Sequence, residues 1–166
     1  MWLGTVFDSI FFWAVLSMRA VIQRVSSATV EVDGKIVGQI GRGLLVYLGV
    51  GKPDGQADAE FMAEKIANLR IFADDAGKMN LSIQEVKGQV LLVSNFTLQG
   101  DCCKGRRPGF DGAAEPEIAE QLYDKTANLI ADKGLEVAKG VFGANMQVKS
   151  INDGPVTFIL DSARSF

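Results

Sequence analysis

Three short stretches of the chain gather groups that could do chemistry. The first is SNFT at 94–97, where Ser94 and Thr97 bracket Asn95 and Phe96 at the end of an apolar run. Polar groups in such a place are costly unless hydrogen-bonded or used. They read either as structural hydroxyls or as donors and acceptors for a polar substrate. The second stretch is DCCKGRRP at 101–108, which places Lys104, Arg106 and Arg107 together in a chain of net charge −3. Such cations suit phosphate through charge-assisted hydrogen bonds, and the competing reading is a solvated basic loop. Three cations fall short of the extended basic stripe of a dedicated nucleic-acid binder. The third is Gly154-Pro155, set between two apolar runs. Glycine lets another chain approach closely and an X-Pro bond has access to the cis form; an ordinary turn is the alternative.

What is missing narrows the chemistry further. The chain has no histidine, which removes Ser-His and Cys-His nucleophilic pairs, the HExxH metal motif and any imidazole acid or base. Its two cysteines, Cys102 and Cys103, are neighbours. A bridge between them would need a strained ring, and neither CxxC spacing nor further ligands exist for a metal site. The expectation is two loop thiols, no metal, no cofactor and a reducing cytoplasm.

The elements that position these groups belong to one domain. A chain of 166 residues, 48% hydrophobic with 4 prolines, is long enough to bury its own core and has no composition of disorder. Residues 1–17, MWLGTVFDSIFFWAVLS, hold one charge, Asp8, and no Lys or Arg precedes Arg19. This is a poor signal peptide, and the apolar run 10–16 is too short for a membrane span of roughly 20 residues. Met18 offers a second start. Residues 1–17 are therefore read as an N-terminal appendage and 18–166 as the domain.

Strands are expected at 20–25, 28–32, 36–40 and 44–50, with Asp33-Gly34 making a tight hairpin turn. Asp54 is placed to cap a helix from Gln56 to about Leu69, with Met62, Ile66 and Leu69 on one face. Residues 69–72 look extended, a polar turn at 74–80 precedes 82–86, and 90–96 reads as a central strand. A long loop, 99–114, follows; loops of that length in a compact domain are usually functional. A second helix runs from Pro116 to about Lys133, with Ile118, Leu122, Leu129 and Ile130 inward and Gly134 closing it. Strands at 135–141, 145–151 and 156–160 finish the chain, with Asn152-Asp153-Gly154-Pro155 as a turn. This order lacks regular βαβ alternation. It predicts a single α+β domain with a mixed or mostly antiparallel sheet, curled toward a barrel and covered by two helices.

Taken together the clusters resemble one family, the D-aminoacyl-tRNA deacylases, over Met18 to about Asp161. SNFTL at 94–98 is similar to the family's SQxxTL motif, with the shorter amide Asn95 in place of its Gln. NDGPVT at 152–157 matches the Gly-Pro motif without a change. DCCKGRRPGF at 101–110 and VIQRV at 21–25 also have the family's look.

The resemblance implies an activity that needs no histidine, hydrolysis of the activated ester of D-aminoacyl-tRNA, and with it of achiral glycyl-tRNA. The catalytic set would be Ser94, Asn95, Phe96 and Thr97, whose backbone groups hold the scissile carbonyl. A threonine hydroxyl without a neighbouring base is a weak nucleophile, so Thr97 is read as positioning, with the terminal adenosine's 2′-hydroxyl assisting and Ser94 and Asn95 binding adenosine or orienting the loop. In the family the Gly-Pro peptide is cis and enters the partner subunit's site, where its carbonyls capture the substrate amine and an L side chain would strike the backbone. The expected partners are thus tRNA and a second copy in a symmetric homodimer, with Arg24 bracing Gly154 and Pro155 and with Lys104, Arg106 and Arg107 toward tRNA. Two alternatives remain: a relative acting on L-alanyl-tRNA, whose Gly-Pro peptide would be trans, and a non-catalytic RNA-binding module.

Overall fold

The computed structural model describes residues 17–164. Its frame is one long hairpin. Strand β1 (Arg19–Val32) turns at Asp33-Gly34, both of positive φ as the tight hairpin turn requires, into β2 (Lys35–Ile40). The register that sets Ala28 opposite Ile40 continues unshifted to Val25 opposite Gly43. Strands β2 and β3 (Gly43–Gly49) are thus two halves of one return strand, bent at Gly41-Arg42. Helix α1 (Gln56–Asn68), a small hairpin of β4 (Phe72–Ala73) and β5 (Met79–Leu81), and strand β6 (Gln89–Ser94) follow. Helix α2 (Pro116–Ala131) then leads to β7 (Glu136–Lys139) and β8 (Gln147–Asp161). The sheet order is β2-β1-β3-β6-β7, with β8 on the other edge of β1. Strands β3, β6 and β7 run parallel and the remaining pairs antiparallel. The sheet is therefore mixed. It curls until β2 meets β7 so closely that a side chain on Gly38 would lie 2.6 Å from the Lys139 carbonyl oxygen. The result is a nearly closed barrel with two helices on its outside.

The period of two explains why the central strands are apolar throughout. Leu44, Val46, Leu48, Val90 and Leu92 pack beneath the helices, while Leu45, Leu91 and Val93 fill the barrel with Val25, Ala28, Val30 and Ile40. Strands buried on both faces lose the apolar-polar alternation. Helix α1 buries Ala59, Met62, Ala63, Ile66 and Ala67 at helical spacing, and Leu69 stands just beyond as its C-cap. Asp54 does not cap it: Gly55 is the N-cap, and Asp54 instead accepts the Gly51 N–H and closes the loop before the helix.

Three expectations are corrected. The two strands at 20–25 and 28–32 are one. So are those at 145–151 and 156–160: both pair with β1, and residues 153–156 form a bulge within β8 rather than a reversal. The inward face of α2 is also rotated. Tyr123, Thr126, Ala127 and Ile130 are buried, Leu122 and Leu129 sit at the rim of the core, and Ile118 is exposed. The buried Tyr123 hydroxyl sets this rotation by donating to the Leu92 carbonyl at 2.7 Å, because a buried hydroxyl without a partner is costly. Among the described residues no helix is long and apolar enough to cross a membrane. The proposed appendage, 1–17, lies outside the described residues except for Ser17.

Candidate active site

Strand β6 ends at Ser94, and the chain then leaves the sheet through Asn95. The Asn95 N–H still donates to the Leu48 carbonyl (2.8 Å), so the residue is pinned to β3. Its side chain caps the 3-10 turn Phe96–Gln99: Oδ1 accepts the Thr97 N–H at 3.2 Å and the Thr97 hydroxyl at 2.5 Å. The turn lies directly on the end of β3. A side chain on Gly49 would stand 2.7 Å from the Asn95 carbonyl oxygen and 2.9 Å from Leu98 Cβ, so only a glycine lets it settle there. From below, Arg19 Nη1 donates to the Leu98 carbonyl (3.1 Å), and the buried Gln99 amide donates to the carbonyls of Ser17 (2.9 Å) and Gly49 (3.0 Å). The Phe96 N–H, first in the turn, meets no acceptor among the described residues, as the first N–H of a helix does not.

Beside this turn opens a cavity of about 470 Å³. Ser94, Asn95 and Phe96 line it together with Leu48, Val50, Ala113, Ala114, Pro116, Tyr123 and Phe142. Its walls are largely apolar, with the Phe142 ring 6.0 Å from that of Tyr123. Burial, and secondarily the charge of Asp124, pushes the Tyr123 phenol above its ordinary range, which keeps it a neutral donor. Phe96 is 60% exposed at the mouth, and the Phe110 ring meets it edge-on at 5.0 Å. Thr97 is exposed next to it and does not line the cavity.

Phe110 ends the basic loop. Asp101 and Gly109 exchange both backbone hydrogen bonds (2.7 and 2.9 Å), closing 102–108 into a projecting hairpin that carries Lys104, Arg106 and Arg107, all exposed. Both cysteines are free and exposed on it. The Asp101 carboxylate accepts the Cys103 N–H at 2.8 Å and holds the Cys103 thiol above its ordinary value. No group of three His, Cys, Asp or Glu side chains that could hold a metal occurs among the described residues.

The Gly-Pro bulge lies apart from this cavity; none of its residues lines it. Opposite Arg24 the pairing of β1 with β8 shifts, and 153–156 leave the ladder. Asn152 Nδ2 ties the base of the excursion by donating to the carbonyls of Arg24 and Val156, both at 3.0 Å. Arg24 holds its side: Nη1 donates to the Ile71 carbonyl (2.8 Å), while Nε faces the Asp153 carbonyl (3.3 Å) and carboxylate (3.1 Å). Gly154 has φ +132°, the Gly154-Pro155 peptide is cis, and a side chain at 154 would stand 2.7 Å from Val156 Cγ2. The structure thus joins Ser94, Asn95, Phe96 and Thr97 in one place, and Arg24, Gly154 and Pro155 in another.

A sequence model described as D-Tyr-tRNA(Tyr) deacylase matches residues 21–161. The chain belongs to this family. A D-aminoacyl-tRNA deacylase of Geobacter sulfurreducens is 61% identical over 145 residues, 87% of this chain and 95% of that protein. One of Anaeromyxobacter dehalogenans is 59% identical over 149 residues, 90% of this chain and all of that protein. Among solved structures, a protein described as c-Myc DNA Unwinding Element Binding Protein is similar at TM-score 0.81 and 41% identity, covering 86% of this chain and 97% of its own. A probable eukaryotic D-amino acid tRNA deacylase shares the fold at TM-score 0.76 with 19% identity, over 87% and 99% of the two chains.

Several residues that shape the cavity or the bulge of this deacylase carry no role in the sequence analysis. Asn152 and Asp153 stood inside the quoted NDGPVT without a function, and both turn out to hold the bulge. Tyr123 was findable from the spacing 123, 126, 127, 130 on α2. Phe142, in an irregular stretch, gave no signal.

Proposed function

We propose that the protein hydrolyses the ester of D-aminoacyl-tRNA, releasing free tRNA and the D-amino acid, and that it also accepts glycyl-tRNA. The observation that carries this reading is the Asn95-capped turn at the mouth of an apolar cavity, in a chain that belongs to a deacylase family. The cavity, walled by Phe142 and bordered by Ser94 and Asn95, offers a slot for the terminal adenosine of tRNA. The unpaired Phe96 N–H supplies a donor for the carbonyl oxygen as it gains charge. The Thr97 hydroxyl donates its hydrogen bond to Asn95 Oδ1, an amide oxygen too weakly basic to deprotonate it, so the hydroxyl oxygen is left as an acceptor that orients the attacking group and is not activated as a nucleophile. The substrate's own 2′-hydroxyl assists a water. The reactivity resides in the ester, and the protein contributes placement.

Chiral selection is assigned to Gly154 and Pro155, whose carbonyls in one protomer reach the site of its partner and take the substrate amine. Support comes from β8. Among the described residues its outer edge is unpaired, and Ile151, Phe158 and Ile159 stand exposed along it, Ile151 at 63% and Ile159 at 59%. An unprotected apolar strand edge beside the bulge suits a second copy of the same chain. Lys104, Arg106 and Arg107 on the projecting hairpin would meet tRNA phosphates, in the cytoplasm where charged tRNA is found.

Incubation with D-Tyr-tRNA and L-Tyr-tRNA tests the reading. Release of D-tyrosine with the L ester spared is the expected result. Comparable rates on the two esters would overturn the chiral assignment, and binding without release would favour a non-catalytic RNA-binding module.

A further inference from the structure

The projecting hairpin carries two groups that ester hydrolysis leaves unused, the thiols of Cys102 and Cys103. Both are free and exposed. The hairpin is closed at its base by the backbone pair of Asp101 and Gly109 and turns at Gly105, whose φ of +72° is the left-handed conformation a tight tip requires. A Cβ on Gly105 would meet nothing within 4 Å, so the tip stands clear of the fold and open to a reagent from solvent. The two thiols and Lys104 lie on the outgoing arm, while Arg106 and Arg107 return on the other.

Among the described residues none of these three cations enters an ion pair. The carboxylate at the base of the hairpin, Asp101, is spent on Cys103. It accepts that residue's N–H at 2.8 Å, and the thiol's hydrogen bond to it, followed by its charge, holds the Cys103 thiol above its ordinary value. A thiol exchanges as its thiolate, so Cys103 is held back and Cys102 is the one left to react. Unpaired cations raise the local concentration of anionic reagents, and a guanidinium fork takes a carboxylate as it takes a phosphate.

We propose that Cys102 is a site of thiol–disulfide exchange with anionic small-molecule disulfides of the glutathione class, and that the adduct lowers the affinity of the hairpin for tRNA. The second half rests on the proposed contact of this hairpin with tRNA phosphates. In the exchange the Cys102 thiolate attacks one sulfur of the small disulfide. The new S–S bond forms as the old one breaks, Cys102 is oxidised, and the departing half is reduced to a thiol by taking up the proton that Cys102 gave to water. The attached half brings two carboxylates and one ammonium, and so cancels the charge of one of the three cations. Cys103 does not resolve the adduct, because a bridge between neighbours needs a strained ring. The adduct therefore persists until an outside thiol removes it. Neither thiol lines the cavity, so exchange acts on binding and leaves the turn that Asn95 caps in place.

Two measurements decide it. In the first, the reduced protein is treated with oxidised glutathione or with cationic cystamine at low and high salt, each rate being divided by that of a blocked cysteine amide. Intact mass and peptide mapping should show one glutathionyl group, on Cys102, with the anionic reagent favoured by about tenfold at low salt and the preference lost at high salt. Modification of Cys103 first, or equal normalised rates for the two reagents, would overturn the proposal. The second measurement is binding of uncharged tRNA as a function of salt. The adduct should bind about tenfold more weakly near 0.1 M salt, with the salt slope reduced by about one, and a reductant should restore it. Cys102→Ser, treated alike, should keep its affinity. An adduct that binds tRNA as tightly as the reduced protein would overturn the regulatory half, whereas a reduced protein that binds no tRNA would instead show the assignment of the hairpin to tRNA to be wrong.

Discussion

The Thr97 hydroxyl donates to Asn95 Oδ1 at 2.5 Å, across the first turn of the 3-10 segment that Asn95 caps. The amide therefore fixes the orientation of the hydroxyl and at the same time denies it a base. This single contact separates a positioning role from a covalent one.

Thr97→Ala is accordingly expected to slow D-Tyr-tRNA turnover by up to about a hundredfold, the cost of a misplaced reacting group, without abolishing it. Replacing the terminal adenosine's 2′-hydroxyl by hydrogen, with the amino acid held on the 3′ position, should cost at least as much. An acyl-Thr97 adduct seen by mass spectrometry, or a dead Thr97→Ala beside normal turnover of the deoxy substrate, would refute the substrate-assisted mechanism.

Gly154→Ala addresses the bulge. At φ +132° and 2.7 Å from Val156 Cγ2, a methyl group there forces the backbone to move, at about 1–3 kcal/mol. Because the bulge is exposed and outside both cores, a Tm drop of only a few degrees should accompany loss of most turnover or of the preference for the D ester. Unchanged rates on both esters would remove Gly154 and Pro155 from the site.

Metal removal should leave the rate untouched, since the reaction as read uses backbone donors and a substrate hydroxyl. The check is turnover after exhaustive EDTA treatment and gel filtration. Loss that zinc restores would mean a ligand set the reading lacks.

The Cys103 thiol is raised by the Asp101 carboxylate that accepts its hydrogen bond. Less thiolate forms at a given pH, so alkylation is slowed. Asp101→Asn should therefore speed modification of Cys103 by iodoacetamide at pH 8, followed by peptide mass spectrometry. Equal rates in the two proteins would show that the carboxylate does not govern this thiol.

The chain's local chemistry was legible without a structure. The helical repeat placed α1, Asp33-Gly34 announced the hairpin, and continuous apolar runs marked β3 and β6 as strands buried on both faces. The lack of histidine ruled out the common hydrolytic bases, and four separated motifs pointed to the deacylase family. These are properties of residue type and of spacing along the chain. What sequence left open depends on which distant segments meet. Residues 145–151 and 156–160 look like two strands with a turn between them; only their shared partner β1 makes them one strand and turns Gly154-Pro155 into a bulge pinned by Arg24 and Asn152. The face of α2 followed the Tyr123 hydroxyl to a carbonyl on β6 and not the largest aliphatic side chains. The role of Asn95, capping a turn and holding Thr97, likewise required knowing that Gly49 lets that turn lie on β3. Pairing, close approach and buried hydrogen bonds are long-range relations, and the tertiary structure alone decided them.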